Sequence, residues 1–66
     1  MSASDRAELS TLRAQMSDVI ERIVAVADRY ENSPHSAVAS DLYAAERALL
    51  TARRALDRAL AHLDDT

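Results

Sequence analysis

Apolar residues recur along the first half of this chain in steps of three and four. Leu9, Leu12, Met16, Val19, Ile23, Val26 and Tyr30 form an unbroken heptad row, and that period predicts an amphipathic helix over about residues 5–31. The run "VIERIVAV" is rich in β-branched residues, but helical period flanks it on both sides, so helix is the reading. Asp5 and Glu8 resemble a capping pair at its start, where acidic groups favour the helix dipole.

The second half repeats the pattern with different residues. Leu42, Leu49, Leu56 and Leu63 fall every seven positions, with Val38, Ala45, Ala52 and Ala59 between them. A second helix is predicted over about residues 34–63. Ala48 and Ala55 extend Ala45, Ala52 and Ala59 into a stripe of small residues. Such a stripe admits a neighbouring helix closer than leucine does, so the tightest helix contact of the fold is expected there.

Between the two rows lies "RYENSPHSAV", with the one proline of a chain that has no glycine. Asn32 is read as a left-handed residue ending the first helix, Ser33 as the cap of the second, and Pro34 as its first residue. A connection of about residues 32–33 forces an antiparallel hairpin, one domain spanning residues 1–66. Ile20, Val24 and Ala27 beside the first row, and Tyr43, Leu50 and Leu60 beside the second, widen each apolar face. One helix contact covers a two-position seam, whereas a three-position face belongs to a bundle. The fold class is therefore all-α, an antiparallel hairpin of two long helices pairing into a homodimeric four-helix bundle.

Composition removes several chemistries. Fourteen alanines favour helix, and the absence of cysteine removes disulfide staples and thiolate chemistry. A chain of 66 residues holds a small core, since below about 70–80 residues one rarely supplies more than ~3–5 kcal/mol. Association with another chain is the remaining staple. The eight basic residues are all arginine, read as codon bias in a GC-rich bacterial or phage genome, and the net charge of −3 argues against a general polyanion binder. The longest uncharged run, Asn32 to Ser40, is nine residues, against the ~20 needed to span a bilayer. The acidic, polar start lacks the order of a secretion signal. A cytoplasmic location without membrane contact is the expectation.

No residue pattern points to catalysis. His35 and His62 stand 27 residues apart, or about 40 Å along one helix, and the Glu-x-x-His pair of di-iron bundles is absent. No metal, cofactor or enzymatic activity is expected. Arg47, Arg53, Arg54 and Arg58 form the densest basic patch, diluted by Glu46 and Asp57. Arg53 and Asp57 are spaced for an ion pair within the helix, and Asp18 and Glu21 for neutralising other arginines. Arg47, Arg54 and Arg58 point away from the leucine row, and Tyr43 stands off it beside Leu50, so these four residues are the candidate partner or nucleic-acid face.

The segment "LRAQMSDVIERIVAVADRY" resembles the first helix of the all-helical chorismate mutases, in which Arg13 would take the substrate-carboxylate role. The family's aspartates, however, fall on Ser17 and Ile20 and its second arginine on Tyr30. That activity is not carried over. The reading is a small non-enzymatic adaptor, regulator or accessory subunit that binds itself and an unidentified protein. The alternative is a nucleic-acid-binding regulator working through the arginines of the second helix.

Overall fold

A computed structural model describes residues 3–65 as two helices packed into an antiparallel hairpin, α1 (Ala3–Tyr30) and α2 (Ser36–Asp64). The helices have 28 and 29 residues, and the hairpin measures 51 × 15 × 9 Å.

Rotation of each helix about its axis decides which apolar row meets the other helix. The described residues that become buried are Ile20, Ala27 and Ala39, at 6%, 0% and 3% exposure. Polar links follow the same strip: Arg6 pairs with Asp64, Arg13 with Asp57, and Arg53 donates to Ser17 Oγ at 3.0 Å. The hairpin seam is thus the flanking row, Arg13–Ile20–Ala27 with Ser17 and Val24 on α1, and Ala39–Tyr43–Leu50–Arg53–Asp57 on α2. The heptad rows turn about 100° to one side, the angular step between neighbouring residues of a helix.

The alanine stripe of α2 does not lie in the buried strip of the hairpin: Ala48, Ala52, Ala55 and Ala59 are exposed and Ala45 is half-buried. The small residues that are buried, Ala27 of α1 and Ala39 of α2, lie towards the turn.

The turn also differs from its expected form. Residues 31–35 connect the helices, and no described residue has a positive φ, so Asn32 is not left-handed. Ser33 is not the N-cap either. Its hydroxyl donates to Tyr30 O at 2.8 Å and accepts from the His35 N–H at 3.1 Å, while the Ser33 N–H donates to Tyr30 O at 3.1 Å. Helix 2 begins after His35, whose side chain makes no cap bond. Pro34 lies in the turn, ahead of the helix, where its missing N–H costs no ladder bond.

Ala27→Leu tests the packing around this fully buried position. Overpacking of this kind costs roughly 1–3 kcal/mol, which for a chain this small lowers the melting temperature by about 4–8 °C per kcal/mol. Thermal melts followed by circular dichroism are expected to show that loss, whereas Ala25→Leu, at an exposed position, leaves the midpoint nearly unchanged.

Candidate functional site

Turning the heptad rows out of the seam leaves them together on one side of the hairpin. Leu12, Val19, Tyr30 and Val38 are 44%, 42%, 37% and 42% exposed. Leu9, Met16, Ile23, Val26, Leu42, Leu49, Leu56 and Leu63 are half-buried. One shallow hollow of ≈ 580 Å³ runs between Leu9 and Leu12 of α1 and Ala59 and Leu63 of α2, and another of ≈ 430 Å³ between Ile23 and Leu42. Residues of both helices line each hollow, so the two rows form one continuous apolar face. We call it the open face.

The fourteen packing residues read from the sequence thereby separate. Ile20 is buried in the hairpin seam, whereas Leu9, Leu12, Met16, Val19, Ile23, Val26, Leu42, Ala45, Leu49, Ala52, Leu56, Ala59 and Leu63 belong to the open face. Ala39, the most buried residue of α2, was missed. Its signal was its place seven residues before Glu46 and fourteen before Arg53, a row whose charges read as solvent-facing.

Helix periodicity places Arg47, Arg54 and Arg58 on the opposite side of the hairpin from the open face, and all three are exposed. None of them makes an ion pair among the described residues. The remaining basic patch does not act as one unit. Arg53 is half-buried and bonded to Ser17, and Asp57, expected to pair with Arg53, is held across the hairpin by Arg13 through two guanidinium nitrogens. Asp18 pairs with Arg22 on its own helix at 3.5 Å, not with an arginine of α2.

Tyr43 turns inward towards the turn end of α1. Its hydroxyl is 2.6 Å from Asp28 Oδ1, to which it donates, and 3.2 Å from Glu31 Oε2. The bond to Asp28, then partial burial, then Glu31 raise the phenol well above its usual pKa. The hydroxyl remains protonated and donates its proton to Asp28, and Tyr43, read from sequence as a contact residue, is half-buried. His35 and His62 are both exposed, at opposite ends of α2. Among the described residues no group of three histidine, cysteine or acidic side chains is placed to hold a metal ion, and no helix is long and apolar enough to cross a membrane.

Comparison with protein-family models, curated proteins and solved structures gives no match to this chain.

The cross-hairpin pair makes a pH prediction. The hydrogen bond from Arg13 holds the Asp57 carboxyl below the usual carboxylate range, with the charges of Arg13 and Arg53 adding to it and partial burial opposing it. A carboxyl whose folded pKa is depressed contributes stability that is present above its unfolded value, ~3.9, and is lost as pH falls through the folded value. Thermal midpoints of the wild-type chain are expected to fall on acidification below about pH 4. In Asp57→Asn that fall is shallower, and the neutral-pH midpoint is lower. Equal acid slopes for the two proteins would refute the role of this pair.

Proposed function

We propose that the protein is a non-enzymatic interaction module whose working surface is the open face, covered in the functional state by a second hairpin to give a homodimeric four-helix bundle. The observation that carries this reading is the exposure of Leu12, Val19, Tyr30 and Val38, which helix periodicity puts on one side of the hairpin. Contiguous apolar patches of that kind mark interaction sites on small soluble proteins.

Size supports the same conclusion. A compact monomer of 7.2 kDa exposes roughly 4,100 Å² by the scaling of surface with mass. This chain exposes 4757 Å², an excess of about 600 Å², close to the ~800 Å² each partner contributes to a standard protein interface. Three buried residues make a thin core for a single hairpin, and covering the open face gives each helix the three-position packing its sequence carries. The bundle would act as an adaptor, regulator or accessory subunit, presenting its outer surfaces to another protein.

A second reading is favoured by one observation, the three exposed arginines Arg47, Arg54 and Arg58, none of them ion-paired among the described residues. On this reading the outer side of α2 contacts nucleic acid phosphates, with the net charge of −3 limiting affinity.

Sedimentation equilibrium is expected to give twice the chain mass, with a melting temperature that rises with protein concentration. Leu12→Asp and Val19→Asp replace side chains that the hairpin itself leaves exposed, so each is expected to abolish dimerisation. A concentration-independent monomer with full helicity would overturn the bundle. Nucleic-acid binding that weakens steeply with salt, and is lost when Arg47, Arg54 and Arg58 become alanine, would establish the second reading.

A further inference from the structure

The open face is uneven along its length, and its hollows differ at the two ends. The larger hollow lies at the end remote from the turn, between Leu9 and Leu12 on one side and Ala59 and Leu63 on the other, with Asp5, Glu8 and His62 also lining it. The smaller lies nearer the turn, among Val19, Arg22, Ile23, Val26 and Leu42. Tyr30 and Val38, beside the turn, are 37% and 42% exposed and line neither hollow.

We propose that the second copy lies on this face tip to tail, so that Tyr30 and Val38 of each hairpin fill the remote hollow of the other. The inference rests on the dimer reading above and adds its geometry. Two face-to-face arrangements keep two-fold symmetry. With the turns at the same end, residues at equal height face each other, so each hollow meets a hollow and two voids remain. With the turns at opposite ends, the exposed Tyr30 and Val38 of each copy meet the remote hollow of the other. Protein interiors are close-packed, and side chains lining a void lose their dispersion contacts, so the second arrangement is favoured. The phenol of Tyr30 suits a site lined by apolar residues and carboxylates, its ring on leucine and its hydroxyl beside Glu8.

Charge and register agree. The cross-links Arg6–Asp64, Arg13–Asp57 and Ser17–Arg53 fix which residues of the two helices are level. At heptad spacing, the outer edge of the open face carries Glu8, Gln15, Arg22 and Arg29 on α1, and Asp41, Ala48, Ala55 and His62 on α2. Tip to tail, Glu8 meets Arg29 of the partner subunit and Asp41 meets His62 of the partner subunit. The midpoint of Glu8 and Arg29 on α1 is level with the midpoint of Asp41 and His62 on α2, so a single two-fold axis serves both edges. Ala48 then meets Ala55 of the partner subunit, where small residues let the two α2 helices approach. The same four charged groups also match with the turns together, Arg29 to Asp41 and Glu8 to His62. Charge therefore admits both arrangements, and the hollows select one. A face of 51 by 15 Å offers roughly 750 Å² from each copy, about 1,500 Å² in all, the size of a standard stable interface.

The chain has no cysteine, so Asn32→Cys introduces a single label site at an exposed turn residue. Double electron–electron resonance on the nitroxide-labelled protein is expected to give a separation of about 40 Å, the axial distance between turns at opposite ends. A separation below about 25 Å, as two helix layers 8–10 Å apart plus label linkers would give, overturns the tip-to-tail arrangement while leaving the dimer standing. No dipolar coupling, with a monomer mass in sedimentation, overturns the dimer itself. A charge exchange tests the register independently. R29E is expected to weaken dimerisation about tenfold, and adding E8R to restore it. Failure of the double variant to recover counts against this arrangement, because with the turns together the new glutamate faces Asp41.

Discussion

The rotation of both helices puts Ile20, Ala27 and Ala39 in the seam, and the pairing of Arg13 with Asp57 lies along the same strip. On α1, Ile20 and Ala27 follow Arg13 at intervals of seven along the seam. The same holds on α2, where Ala39, Tyr43, Leu50 and Arg53 share the strip that carries Asp57. Leu12, Val19 and Val26 stand one residue's turn away and are carried to the side. A seam containing arginine, serine and aspartate beside its alanines is a weak apolar core, yet it places the strongest hydrophobic rows where a second molecule reaches them. The exposed ion pairs of the strip add little to stability, about 0–1 kcal/mol each.

Two helices, their antiparallel order and the place of the reversal were legible in the sequence, because heptad spacing and a lone proline act locally. The assignment of rows to neighbours was not. Periodicity says that Leu9, Leu12, Met16 and Val19 share a stripe; it does not say whether that stripe meets the other helix or another chain. Arg13, Ser17, Glu46 and Arg53 made the true seam look solvated. Arg13 and Arg53 bond to Asp57 and Ser17, 44 and 36 positions away along the chain, which reading at intervals of three and four cannot see. The same blindness put Asp57 with Arg53, its neighbour on the helix, when its partner lies on α1.

Tyr43 shows the cost of assigning a face by position alone. It lies off the leucine row, as read, but on the side facing the turn end of α1, where Asp28 and Glu31 hold its hydroxyl. The bond from the phenol to Asp28 links α2 to the turn end of α1. Because the folded pKa of Tyr43 is raised, that contribution is complete below the usual tyrosine range near 10 and is lost as pH rises through the folded value. The residue belongs to the groups that close the hairpin, with Ser33 and the buried Ala27 and Ala39.

The reversal is made with no described residue at positive φ and without glycine. A turn that depends on a left-handed residue confines one position to glycine or asparagine, since most others incur a steric penalty there. This one has no such position. Asn32 is replaceable by almost any residue without backbone strain, and only the hydroxyl of Ser33 ties the turn to α1 through a side chain. Drift in sequence is therefore cheap at the tip of the hairpin and costly beside it, at Ala27 and Ala39. Chains sharing this architecture would keep those two small residues long after their turns had ceased to look alike.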